Sequence, residues 1–281
     1  MRTLTALVLF FCTQFLTSCQ SVSVQTDDEI KLYIFDNGLI VGLEPELFNF
    51  TLSEVAETDF VLTSYLIVHP QGALLWESGG IPDHDFPADG SSAIEGVVSA
   101  TKTLRSQMSE IGYEANDIDY YAMSHLHSDH NANSNEFSGS HWIVQKNDRE
   151  VMFSGVARDI MVPENFADLK DAQTILLDDE DYDVFGDGTV QIISAPGHTE
   201  GHQVLLLKLP ESGNIMLAGD LFHYPEEITT GRFPTFEYDP ELSAISREKV
   251  MSIVEDNDAE LWIGHDKVTH QGLNFSPAFY R

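Results

Sequence analysis

Four apolar runs of strand length each end on a histidine or an aspartate, and no other feature constrains the fold as tightly. Residues 118–123 run into Ser124-His125, and 190–195 run into Pro196-Gly197-His198. Residues 215–218 run into Gly219-Asp220, and 261–263 run into Gly264-His265. Folds that mix strands and helices place their sites at strand ends, where a rigid strand positions a loop that can carry polar groups. A fold that gathers these four ends along one edge therefore brings their polar groups together. The first exit is the richest, since His125-Leu126-His127-Ser128-Asp129-His130 packs three imidazoles and a carboxylate into six residues. Three of the chain's 11 histidines lie there, a density that scattered surface histidines do not produce. On a loop leaving a strand, residues at i and i+2 point the same way and can chelate one ion. Asp129 and His130 fall on the next turn and can reach a second. Imidazole together with carboxylate suits Zn²⁺, which takes four or five ligands at roughly 2.0–2.2 Å. The candidate ligands are seven: His125, His127, Asp129, His130, His198, Asp220 and His265.

The rest of the chain alternates strands and helices. Residues 31–35 and 39–41 flank Asp36-Asn37-Gly38, which predicts a hairpin. Residues 61–68 and 73–76, joined by Pro70-Gln71-Gly72, predict another. Ser91 or Ser92 can cap a helix whose apolar positions are Ile94, Val97, Leu104, Met108 and Ile111, with Gly112 ending it. Residues 204–209 and 215–218 form a hairpin around Glu211-Ser212-Gly213-Asn214, and Asp239 caps a helix with Pro240 first, running to about Asp256. Residues 65–79 and 204–220 share a strand, a turn, a strand and a small-residue exit, which suggests two related halves facing each other.

Composition narrows the function. The chain of 281 residues carries 14 Lys+Arg against 46 Asp+Glu, a formal charge of −32. A surface this negative repels phosphate backbones, which excludes nucleic acid as a partner. With 42% hydrophobic residues it has ample core material and is no disordered acidic tail. Arg2, the apolar stretch 4–12 and Leu16-Thr17-Ser18-Cys19 resemble a lipoprotein signal of residues 1–18, cleaved before a lipid-bearing Cys19. Residues 19–28 then read as a polar tether and 29–281 as one folded domain. Gln20 is not the Asp that retains such proteins at the inner membrane, so the expected address is the periplasm, anchored at the outer membrane. Acylated Cys19 and a removed Cys12 leave no thiol for a nucleophile, a disulfide or a metal.

The hexapeptide His125-x-His127-x-Asp129-His130, followed by Gly197-His198, Gly219-Asp220 and Gly264-His265, resembles the metallo-β-lactamase superfamily of binuclear hydrolases. The resemblance spans about residues 30–281. It implies an α/β (α+β) fold, the four-layer αββα sandwich of a hydrolase domain. It further implies that His125, His127 and His198 hold one Zn²⁺, that Asp129, His130 and His265 hold a second, and that Asp220 bridges both. Where the family often has Asp-x-Gly after an early strand, this chain has Glu77-Ser78-Gly79, a departure expected to touch no ligand. His127 stands where di-iron flavoprotein relatives carry Glu, which points to hydrolysis. Asp220 stands where β-lactamases of this fold carry Cys or Ser. The segments 124–135, 196–203 and 238–242 look most like N-acyl homoserine lactonases.

The expected function is thus the opening of lactone rings, such as N-acyl homoserine lactones, by a hydroxide bridging two zinc ions. Asp129 would orient that nucleophile and move its proton. Lactonases place a Tyr three residues after the bridging Asp; here His223 is there with Tyr224 beside it, so either can take the role of polarising the substrate. A β-lactamase, a broader ester, sulfate or phosphotriester hydrolase, and a metal-binding lipoprotein without catalysis are the alternatives. Among the other histidines, His69 reads as a solvated turn residue, His84 as surface, His141 as packing and His202 as a local hydrogen-bonder. Phe222, Tyr224, Phe233, Phe236 and Tyr238 can line an acyl cleft or simply pack.

Overall fold

Runs such as 61–68 and 204–209 have no polar face, so as strands they need apolar cover on both sides. The computed structural model, which describes residues 29–281 apart from Gly90, Ala157 and Asp159, supplies that cover with two stacked sheets and outer helices. In chain order the elements are β1 (Lys31–Ile40), β2 (Phe60–His69), β3 (Gly72–Trp76), β4 (Ala93–Glu95), β5 (Val98–Ala100), α1 (Leu104–Glu110), β6 (Tyr120–Ala122) and α2 (Ser128–Asn131). They continue with β7 (His141–Gln145), α3 (Lys146–Met152), β8 (Thr174–Leu177), β9 (Tyr182–Asp183), β10 (Val190–Ser194), β11 (Gln203–Leu209) and β12 (Gly213–Leu217). The last are α4 (Glu226–Thr230), α5 (Pro240–Asp256), β13 (Ala259–Trp262), α6 (Lys267–His270) and β14 (Phe279–Tyr280).

The first sheet has the order β4-β5-β1-β2-β3-β6-β7-β8, with β14 also on β1; the second has β13-β12-β11-β10-β9. Alternation along each strand divides its residues between two cores. Tyr65 and Ile67 of β2 face Leu205 and Leu207 of β11 in the inter-sheet core, with Trp76 and Trp262. Leu66 and Val68 instead face outward, under Leu104 and Met108 of α1. Val204 and Leu206 face outward on the other side, under Val250 of α5. The layers are therefore αββα. The similar hairpins β2–β3 and β11–β12 stand in facing sheets, and Asp239 caps α5 by accepting the backbone N–H of Glu241 and Leu242, both at 3.0 Å.

Two elements differ from the sequence-based expectation. Residues 31–41 form no hairpin: Asp36-Asn37-Gly38 is an irregularity inside the single strand β1, where the register with β2 shifts between Asp36 and Leu39. Gly38 sits at φ +97° and a Cβ there would overlap the Ser99 carbonyl oxygen, so the glycine serves close strand approach. Nor does a helix begin at Ser91 or Ser92. Residues 93–100 form the hairpin β4–β5 around Gly96 at φ +60°, and the helix starts only at Leu104, capped by Thr103. Ile94 and Val97 are exposed there rather than buried on a helix face. The expected signal peptide 1–18 and the expected tether 19–28 lie outside the described residues. Among the described residues no helix is long and apolar enough to cross a membrane.

Candidate metal centre

The seven candidate ligands meet at one edge of the sandwich, five just past strand ends and two on the short helix that follows the first of them. β6 leads through Met123 and Ser124 to His125 and His127; α2 then turns Asp129 and His130 back over the same point. β10, β12 and β13 deliver His198, Asp220 and His265. Glycine permits the closeness of these loops. A Cβ on Gly219, which sits at φ +50°, would lie 2.5 Å from Ser124 Cβ and 2.9 Å from His202 Nε2.

Two quartets form, His125–His127–His198–Asp220 and Asp129–His130–Asp220–His265, each with its donor atoms within 4.8 Å of one another. Asp220 belongs to both, and its two oxygens divide between them. Oδ2 lies 3.7 Å from His125 Nε2 and 3.6 Å from His198 Nε2, whereas Oδ1 lies 3.2 Å from His130 Nε2 and 3.1 Å from His265 Nε2. Asp129 Oδ2 stands 3.5 Å from both His130 Nε2 and His265 Nε2. Buried His130 Nε2 and Asp220 Oδ1 have no hydrogen-bond partner within the protein. Such orphaned atoms, converging in a buried place, fit a cation held at the second quartet; at the first, Nε2 of His125 and Nε2 of His198 close on His127 Nδ1 at 2.8 and 3.2 Å.

Electrostatics agree with that fit. Burial, with the neighbouring His198 second, pushes His127 down to about 3; burial likewise pushes His198 to about 3 and His125 well below the usual imidazole value. These three rings are neutral, the form that binds metal. Burial opposes charge on His130 too, yet Asp220, Asp129 and Glu77 together outweigh it and hold its pKa well above the ordinary value. The second quartet thus attracts positive charge strongly, whether a proton or an ion.

Behind the ligands lies a ring of buried groups. Glu77 accepts the backbone N–H of Ser124 at 3.1 Å and stands 3.4 Å from His130 Nδ1, so the departure at Glu77-Ser78-Gly79 does touch a candidate ligand. Its longer side chain spans the gap from a backbone at φ +66°. His202 accepts the N–H of Asp220 at Nε2 (3.1 Å) and donates from Nδ1 to the Ala195 carbonyl (3.2 Å). Glu237 faces His198 Nδ1 at 3.1 Å. Asp148 of α3 accepts the Gly201 N–H at 2.6 Å and the Thr199 hydroxyl at 2.9 Å, tying down the His198 loop. Of these, the sequence reads His202 as a local hydrogen-bonder and marks Glu77 by its place in Glu77-Ser78-Gly79, though not as touching a ligand. Asp148 and Glu237 sit far along the chain from their partners and in no motif.

His223 and Tyr224 are placed differently. His223 Nε2 is 3.3 Å from Asp220 Oδ2, and its Nδ1 is 3.6 Å from Glu227 Oε1; the other Glu227 oxygen, Oε2, pairs with Arg247 at 2.5 Å. The Tyr224 ring packs edge-on among Phe48, Phe50 and Phe60, with its hydroxyl unpartnered. Both residues line a cleft of about 330 Å³ that also touches His265, Phe60, Val268 and Lys267. Of the remaining aromatics, Phe236 lies beside the centre, its ring 6.0 Å from that of His198. Phe222 is buried under α5, Arg247 covers Phe233, and Tyr238 is exposed. His69 is not solvated: it is buried, stacked on Phe185, with Nε2 3.0 Å from Asp187.

Comparison with known proteins gives a consistent result. A family model described as the metallo-beta-lactamase superfamily matches residues 58–265. The N-acyl homoserine lactonase AttM of Azorhizobium caulinodans is 25% identical over 276 residues, covering 90% of this chain and 99% of that protein. The N-acyl homoserine lactonase AiiA of Bacillus thuringiensis subsp. kurstaki is 26% identical over 256 residues, covering 89% and 98%. A solved N-acyl homoserine lactone hydrolase, with the product N-hexanoyl-L-homoserine at its catalytic metal centre, shares the fold with a TM-score of 0.72 at 24% identity, covering 90% of this chain and 100% of that one.

Proposed function

Because the chain belongs to the metallo-beta-lactamase superfamily, matched over residues 58–265, we propose that it is a metal-dependent hydrolase that opens N-acyl homoserine lactones. The observation that carries this reading is the division of Asp220, one oxygen toward each of two histidine sets. Relatives named as lactonases that align along about nine tenths of the chain support it. We propose zinc as the ion and two as the number. When bound, the ions supply Lewis-acid polarisation of the ester and a water acidic enough to ionise near neutral pH.

The chain's own groups do the rest. Asp129, whose carboxylate is partly exposed at the mouth of the second quartet, orients the attacking water, takes its proton and returns it to the departing alkoxide. His223 presents Nε2 beside Asp220, where it can donate a hydrogen bond to the carbonyl oxygen as negative charge builds there. Glu227 and Arg247 hold its ring from behind. Phe60, Val268 and Pro225 give the adjoining cleft apolar walls that suit an acyl chain. Tyr224, in its aromatic cluster, is left with a packing role.

We also propose the address: a lipid on Cys19, outer-membrane anchorage and a periplasmic domain, supported by Leu16-Thr17-Ser18-Cys19 after an apolar stretch. The experiment for the activity is a panel of homoserine lactones, nitrocefin and p-nitrophenyl esters, each with and without chelator. Lactone turnover that chelator abolishes and zinc restores is expected. Turnover of β-lactam or simple ester without lactone overturns the substrate, and bound metal without any turnover overturns catalysis.

A further inference from the structure

A histidine ligates well when its far nitrogen is tied down, because that bond fixes the tautomer and aims the other lone pair. His265 gives its Nδ1 to the Val61 carbonyl at 2.9 Å, and His125 Nδ1 faces the Ser124 hydroxyl at 2.9 Å. His198 faces something stronger, the Glu237 carboxylate at 3.1 Å, whose side chain is only 1% exposed. Glu237 is braced in turn. Its other oxygen accepts the hydroxyl of Ser243 in α5, and the next residues bond back to the His198 loop, Asp239 N–H to the Gly197 carbonyl at 2.9 Å.

We propose that Glu237 is the positioning residue for His198: it keeps the proton on Nδ1, aims Nε2 at the His125–His127 quartet and strengthens that quartet alone as a metal site. The second quartet has its own acid, Glu77 behind His130, and Glu237 makes no contact there. The proposal rests on the metal reading of the centre and is independent of the lactone.

The test is metal titration of metal-free protein, wild type against Glu237→Gln, by calorimetry with Zn²⁺ and by visible absorbance with Co²⁺. Glutamine keeps the shape and removes the charge. The expected result is a 10–100-fold weakening of one ion, with the other unchanged and one set of Co²⁺ bands altered. Ser243→Ala, which frees the brace, should give a smaller loss at the same ion, and it serves as the test should Glu237→Gln fold poorly. Unchanged affinity for both ions, or equal weakening of both, overturns the proposal. So does a lower melting temperature of the metal-free variant with affinities intact, since that marks a merely structural role. No substrate enters these measurements, so failure of the lactone assay leaves their outcome distinct.

Discussion

Asp148 lets the pH dependence of stability be worked from the structure. It lies fully buried beneath the His198 loop, and burial pushes its carboxyl up to about 7, against the lowering effect of the Gly201 N–H and Thr199 hydroxyl. An unfolded Asp titrates near 3.9. Because the folded value is the higher, the folded state holds the proton more tightly. The associated stability is present below pH ~4 and lost as pH rises through ~7. Each pH unit separating the folded from the unfolded value is worth about 1.4 kcal/mol, so the full loss is about 4 kcal/mol, of which about 2–3 kcal/mol falls between pH 5 and pH 8. Asp148→Asn removes the titration while keeping an acceptor for Gly201 and a donor for Thr199, whose hydroxyl can accept as well as donate. Urea unfolding of the two metal-free proteins at pH 5, 6, 7 and 8 should therefore show wild type losing ground to the variant by about 2–3 kcal/mol across the series. Parallel stability curves would refute the reasoning, because they would mean that Asp148 is ionised in the folded state throughout.

Other expected outcomes test the centre and the anchor. His223→Phe should lower kcat by about 10²-fold with little change in KM, while Tyr224→Phe leaves kcat within about twofold; steady-state kinetics on a homoserine lactone that shows equal losses would contradict the placement of the two side chains. Wild type should carry close to two divalent ions per chain and Asp220→Ala should lose occupancy at both sites, since one carboxylate serves both quartets; elemental analysis finding two tightly held ions in the variant would rule out the bridge. Cys19→Ser should move the protein from the membrane fraction to the soluble periplasmic fraction, and a wild type already soluble on fractionation would remove the lipid anchor.

The seven candidate ligands were legible because each is local: an apolar run, a small residue, then a histidine or aspartate. The sandwich was legible for a related reason, since runs such as 204–209 demand cover on both faces and α5 announces itself with Asp239-Pro240. Helical spacing misled between Ile94 and Leu104, where Gly96 takes a left-handed turn and two short strands pair locally instead. Asp36-Asn37-Gly38 misled because the same residues that make a hairpin turn also make a bulge, and only the neighbouring strand β5 decides between them.

What the sequence concealed is the buried charge behind the ligands. Glu77 meets His130 across 53 positions and Glu237 meets His198 across 39, separations at which no spacing rule operates. That charge bears on how many ions the centre holds. Glu227, behind His223, has Arg247 as its counter-ion, but Asp129, Asp220, Glu77 and Glu237 have no Lys or Arg ion-pair partner among the described residues. Their nearest ion-pair partners are imidazoles: His198 is neutral, His130 is cationic only while it binds no metal, and His223, which burial lowers but Asp220 and Glu227 hold at about 10, carries one positive charge. Unpaired buried carboxylates are costly, so the loaded centre needs positive charge from outside the chain. Four carboxylates carry −4 when ionised. Cationic His223 and one divalent ion still leave the four carboxylates under-compensated, and a second ion removes that deficit, which gives the double occupancy proposed for this site an electrostatic reason independent of the count of ligands.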